Sequence, residues 1–255
     1  LLYFSLRPSF KTSPLFIVPP SYNRYNKRMP FKYESIVPWG RSYQEYIDMF
    51  NLTIEDLNRS ILGCRDGPSS FNSIKNKNGR KAVSIDPLYQ FTKDEIKKRI
   101  NDTYSNVINQ TRDNQDKFIW TNIRNIDELV RLRMSAMEEF LKDYDKGKAA
   151  KRYVFAELPK LPFKDDQFDL ALSAHFLLFY SDNLTLDFHK QAIDEMLRVA
   201  KEVRIFPLVD VNAERLPYVE DIIGYLRGLG RKVAEEQVKY EFQKGGNTML
   251  KVFGK

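Results

Sequence analysis

The stretch Ile61-Leu-Gly-Cys-Arg-Asp-Gly-Pro-Ser-Ser-Phe71 constrains the fold of this chain more than any other. It opens as a short strand, breaks at a turn holding Gly67 and Pro68, and continues as a helix beginning near Ser69. A helix that starts behind a glycine turn presents unpaired N–H groups and lets a ligand approach the backbone. A second run, Lys81-Ala-Val-Ser-Ile-Asp86, alternates, is β-branched and stops at Pro87, so it reads as the next strand. It ends in a carboxylate nineteen residues after Gly67. A carboxylate at that place can accept hydrogen bonds from both hydroxyls of a ribose. The plainer alternative is a tight turn and an aspartate that caps its own loop. The order strand, glycine turn, helix, strand, acid favours a nucleoside site.

The rest of the chain supplies the context. Tyr43, Tyr46, Ile47 and Phe50 fall at helical spacing behind Ser42, with Glu45 completing a capping box. Thr53 caps a second short helix. Residues 92–149 are polar and helical, capped by Thr92 with Glu95 three residues on, and Ile126, Leu129, Val130, Leu132, Met137 and Leu141 give the later part an apolar side. A strand-helix-strand unit needs only one helix, so this segment is read as a helical insertion. Strands are expected at Tyr153–Ala156, Phe168–Ser173 and Val203–Val209, with helices at 186–200 and 218–229. Lys232–Phe242 and Met249–Phe253 are expected to pair as a hairpin across Gly245-Gly246-Asn247. Alternating strands and helices imply a parallel sheet covered on both faces. The expectation is an α/β, Rossmann-like, seven-stranded and mostly parallel sheet with a C-terminal antiparallel hairpin.

Composition narrows the function. The formal charge of +7 suggests nucleic acid, but Arg7, Lys11, Arg24, Lys27 and Arg28 sit in residues 1–28, which hold no acid; removing those five leaves +2. No basic cluster interleaved with aromatics marks the remainder. Residues 1–28 read as a targeting-type extension or as sequence upstream of a start at Met29, and folded sequence is expected from about Phe31 within a domain spanning 29–255. The single Cys64 excludes an internal disulfide and fits a reducing compartment, the cytoplasm, or an organelle if the leader is genuine. One cysteine and two histidines leave too few ligands for a closed zinc site, so no metal is expected. No run of 18 apolar residues exists, so no membrane span is expected.

The runs ILGCRDGPSSF, VSIDPLY and AELPKLPFKDDQFDLALS, in that order, resemble the class I S-adenosylmethionine-dependent methyltransferases. The resemblance covers about residues 31–255. It implies S-adenosyl-L-methionine as cofactor, with the loop at Arg65 and Gly67 cradling its methionine part and Asp86 holding the ribose. It implies that Glu157 reads the adenine amino group, with Leu158 beside it, and that Phe168-Asp169 opens the fourth strand. The family's loop reads Gly-x-Gly-x-Gly; aligned on Gly67, the outer positions here are Arg65 and Ser69. Arg65 fits if its φ is negative, and it could reach the cofactor carboxylate. It could equally block the site. His175, just past the fourth strand, is the candidate general base, set against a structural histidine bonded to backbone. Arg41 either binds a carboxylate or is a solvated residue ahead of a helix, the second favoured. Trp39, Phe176 and Phe179 are read as core before site walls, and Cys64 as structural.

The function expected is a methyltransferase. Segments 31–50 and 92–149 would shape its acceptor pocket, and the acceptor would be a small molecule, with nucleic acid and protein left open. The alternative is a non-catalytic relative that kept the fold as a binding or scaffolding protein, and Arg65 is the feature that favours it.

Overall fold

The computed structural model describes residues 38–180, 184–216 and 218–254. The leader at 1–28 and the expected start near Phe31 lie outside the described residues.

Seven strands form one sheet: β1 (Ile61–Cys64), β2 (Ala82–Ile85), β3 (Tyr153–Val154), β4 (Leu170–Ala174), β5 (Glu202–Phe206), β6 (Val233–Gln237) and β7 (Thr248–Phe253). Their order across the sheet is β3-β2-β1-β4-β5-β7-β6. Neighbours from β3 to β5 run parallel, and β7 is antiparallel to both β5 and β6. The chain therefore winds outward from β1 in one direction and from β4 in the other. The switch between the halves lies at the carboxyl ends of β1 and β4, where such sheets bind ligands. Every residue of β1, β4 and β5 is buried, as expected for strands covered on both faces.

Seven α-helices cover the described sheet: α1 (Tyr43–Met49), α2 (Ile54–Asn58), α3 (Phe71–Lys77), α4 (Lys93–Asp113), α5 (Ile126–Ala149), α6 (Leu186–Val199) and α7 (Tyr218–Gly228). The capping boxes read at Ser42 and Thr92 form, and the cap read at Thr53 is also completed to a box by Asp56. One apolar cluster packs α6 and α7 against Leu62, Ala171, Val203, Ile205 and Leu250. A second packs Tyr46, Met49 and Phe50 of α1 against Ile61, Leu170 and Leu172. A third joins Ile96 and Ile100 of α4 to Met137, Phe140 and Tyr144 of α5 and to Tyr153 of β3. The segment between β2 and β3 thus holds two long helices, with α5 touching the sheet at β3 and α4 packed on α5.

The hairpin is shorter than its sequence suggests. β6 ends at Gln237 instead of Phe242, because the chain beyond it turns to other partners. Phe242 accepts a hydrogen bond from Ile119 N at 2.7 Å and stacks on Phe118 at 4.7 Å. Tyr240 reaches back to α1, and its hydroxyl donates to Glu45 at 2.9 Å.

Candidate functional site

The loop after β1 is held from three sides. Arg65 N donates to Ile85 O at 2.9 Å, Tyr89 Oη donates to Gly67 O at 2.7 Å, and Gly67 N donates to Asp86 Oδ2 at 3.0 Å. Gly67 has φ +54, a region open to glycine at low cost, and a Cβ built there would meet nothing within 4 Å. The loop therefore faces open space at its turn. Behind it, Asp66 is buried; Tyr46 Oη donates to Oδ1 at 2.8 Å and Ser84 Oγ to Oδ2 at 2.5 Å.

Gly63 was not singled out in the sequence, yet it is as constrained as Gly67. A Cβ on it would lie 1.8 Å from Asp66 Oδ2. Reading the loop from Gly63 makes Gly63 and Gly67 the outer glycines and leaves Arg65 in the middle position. The usable signal was the even spacing of Gly63, Arg65 and Gly67 straight after a strand.

Asp86 closes β2 and is buried. It performs the local role as well: Oδ1 accepts from Leu88 N at 2.7 Å, capping the turn at Pro87–Gln90. Two of its roughly four acceptor sites are therefore used, and two remain. Burial pushes its carboxyl up, and the Arg65 charge only partly opposes that. Glu157, past β3, is exposed. Leu158 is buried in the core, so only its backbone can face a ligand. Phe155, two residues before Glu157, is exposed although large and apolar.

Arg65 departs from the expected backbone, with φ +63 where a negative angle would have suited it. Its guanidinium lies over the Phe176 ring at 4.7 Å and 3.9 Å from Glu157. It therefore lies beside Glu157, one of the two acids that the resemblance assigns to the nucleoside, and its charge acts on the other, Asp86. Its Nε is buried and has no partner among the described residues.

His175 follows β4 at φ +51, and its N–H donates to Phe206 O at 2.7 Å, at the end of β5. Its ring meets Phe179 at 5.1 Å, Phe206 at 5.4 Å and Tyr240 at 6.5 Å, all edge to face. Nδ1 is buried without a partner among the described residues. Burial, then Arg41 and Arg133, hold the imidazole well below its usual range, so it is neutral at pH 7. Arg41 is not the solvated residue favoured from sequence: it is half-buried, with Nε fully buried. Its carbonyl accepts from Ser70 N at 3.1 Å and Ser69 Oγ at 3.0 Å, fastening the segment ahead of α1 to the cofactor loop. Phe176 is core and Trp39 half-buried, packed on the α4–α5 cluster. Cys64 is fully buried and its thiol pushed well up by burial, consistent with the structural role.

An uncharacterised protein of Methanocaldococcus jannaschii is 35% identical over 212 residues, spanning 83% of this chain and 93% of that protein. The methyltransferase-domain family profile matches residues 131–206, from α5 to the end of β5. The chain belongs to the class I S-adenosylmethionine-dependent methyltransferases. The magnesium protoporphyrin IX methyltransferase of Synechocystis PCC 6803, solved with bound cofactor, is 10% identical with a TM-score of 0.41 over 79% of this methyltransferase and 73% of that chain. A TehB-like methyltransferase of Corynebacterium glutamicum is 16% identical with a TM-score of 0.41, over 78% and 80%. The cofactor of that family is S-adenosylmethionine. The residues present fit it: Gly67 leaves open space at the loop, and the buried Asp86 keeps free acceptor sites. No helix among the described residues is long and apolar enough to cross a membrane.

Proposed function

We propose that this methyltransferase is an active enzyme, holding its cofactor at the carboxyl ends of β1, β2 and β3 and methylating a small molecule placed against His175. Asp86 carries the reading. A buried carboxylate with its ionisation opposed by burial is costly to keep unless a ligand uses it, and two of its acceptor sites point to no protein donor among the described residues. Those sites suit the two ribose hydroxyls. Glu157 would take the adenine amino group, aided by the Leu158 backbone, and Arg65 would line the nucleoside beside Phe176.

Bound S-adenosylmethionine would supply a methyl group already activated on a sulfonium, with the sulfur as leaving group. The protein's task is then to align the acceptor and exclude water. His175, neutral and with Nδ1 unpartnered, would receive the acceptor's proton. Asp86→Ala removes a charge-assisted pair and is expected to weaken S-adenosylhomocysteine binding by on the order of 1.5–3 kcal/mol, about ten- to 150-fold. Calorimetric titration reads it, and unchanged affinity would reduce Asp86 to the cap of its own turn.

Arg65 favours a second reading, the non-catalytic relative, because its guanidinium lies beside Glu157 and over the Phe176 ring, on the nucleoside side of the site. Its hold is weak. A partly exposed pair at 3.9 Å contributes about 0–1 kcal/mol and the ring contact about 0.5–1 kcal/mol. A nucleoside can therefore displace it. In an active enzyme the wild type binds S-adenosylhomocysteine, and Arg65→Gly, which suits φ +63, changes the affinity by less than about tenfold. Binding that appears only in Arg65→Gly would make the scaffold reading the better one.

A further inference from the structure

Past the ends of β4 and β5 lies a cluster that cofactor binding does not use. Glu45 of α1 pairs with Arg133 of α5, which is 1% exposed. Arg133 also donates to Tyr240 Oη at 3.3 Å, and Tyr240 Oη donates to Glu45 at 2.9 Å. Ser42 N donates to Glu45 Oε2 at 2.8 Å, so the carboxylate is fully engaged. Arg41 is the second guanidinium here, and among the described residues its one side-chain hydrogen bond is to Trp39 O at 3.4 Å. Burial, then Arg133, press its charge downward. Among the described residues, two guanidiniums therefore share one carboxylate. Three buried polar atoms of the cluster, Arg41 Nε, Arg133 Nε and His175 Nδ1, have no partner among the described residues.

We propose that Arg41 anchors a carboxylate of the methyl acceptor, so that the substrate is a small organic acid whose methylated group lies beside His175. This rests on the methyltransferase reading. The cluster's excess is one positive charge, which a monoanion neutralises and a phosphate dianion overshoots. Arg presents a planar fork that matches a carboxylate. The flanking rings of Phe206, Tyr240 and Phe179 around His175 suit an apolar acid body. Arg41 itself borders the loop after β1, its carbonyl held by Ser70 N and Ser69 Oγ, so a nucleoside that lacks a carboxylate is needed to separate an acceptor acid from the cofactor's own. The nucleoside residues Gly67, Asp86 and Glu157 follow β1, β2 and β3, whereas His175 and Tyr240 follow β4 and β6 and Phe206 ends β5, on the other side of the switch. An anion at Arg41 also offsets the field that opposes protonation of His175.

The test uses benzoate as probe and benzamide as its neutral counterpart, titrated calorimetrically into the full chain with and without S-adenosylhomocysteine. Benzoate should bind the wild type, benzamide should not, and Arg41→Ala should weaken benzoate at least tenfold, with Arg41→Lys in between. Arg41→Ala should leave S-adenosylhomocysteine affinity within about twofold and should melt at or above the wild-type temperature, since it removes an unpaired half-buried charge. Benzoate binding equally to wild type and Arg41→Ala, or to neither, overturns the proposal, as does inorganic phosphate binding more tightly than benzoate. If Arg41→Ala loses S-adenosylhomocysteine but keeps 5′-methylthioadenosine, which lacks the carboxylate, Arg41 serves the cofactor and the proposal also falls. The benzoate titration without nucleoside reads the anion site by itself. Failure of the wild type to bind S-adenosylhomocysteine therefore overturns the methyltransferase reading separately.

Discussion

Gly63 carries no side chain because Asp66 leaves no room for one. Gly63→Ala must swing that carboxylate away from Tyr46 and Ser84, at an expected cost on the order of 2–4 kcal/mol. A thermal melt should show a fall of roughly 5–15 °C. In Gly63→Ala/Asp66→Ala the loss should be well below the sum of the single changes, since the clash partner is gone. Asp66 itself makes stability pH-dependent in an unusual direction. Burial lifts its carboxyl to about 6, above its ordinary value of 3.8. The folded state then binds more protons than the unfolded one between those values. The contribution is full below about pH 4 and lost as pH rises to about 6, up to about 3 kcal/mol. Asp66→Asn should flatten that slope in melts between pH 4 and 7; an unchanged slope would show that Asp66 is not its source. The places of Asp86 at the end of β2 and of Gly67 in the turn after β1 were legible because their spacing is a pattern in the chain. Asp66 was not, since its meaning depends on Tyr46 and Ser84, which fold over it from α1 and β2.

At the scale of elements, one buried ion pair joins α1 to α5, and Tyr240 brings in the β6–β7 connection. Burial pushes the Glu45 carboxyl up, but Arg133 and then Arg41 more than offset it and hold it at about 2. Glu45→Gln keeps the cap on α1 but leaves buried guanidiniums unpaired, which typically costs about 3–5 kcal/mol. Chemical denaturation should read that loss, and Glu45→Gln/Arg133→Met should recover most of it. No recovery would mean the pair is not what couples the elements. The helices and central strands were readable from periodicity and capping, as at Ser42 and Thr92. Arg133 was not, because on α5 it reads as one more charge, and its partner lies 88 residues away. The end of β6 was misread for the same reason: Phe242 alternates like a strand residue but is taken by Phe118 and Ile119.

Across the whole molecule, the parallel core with its antiparallel β7 puts Gly67, Asp86 and Glu157, proposed to hold the nucleoside, on one side of the switch point and His175 with Phe206 and Tyr240 on the other. The sequence pattern predicts that layout, while the charge balance around Glu45, Arg133 and Tyr240 emerges only when α1, α5 and the β6–β7 connection meet. Cofactor binding is the claim on which every proposed role depends. The most direct measurement is titration of the wild-type chain with S-adenosylhomocysteine, followed by heat and by thermal midpoint. One site per chain is predicted, and ligand at 100 times its dissociation constant should stabilise the fold by about 2.7 kcal/mol, a rise of roughly 5–10 °C. Neither heat nor a shift at millimolar ligand would contradict the account.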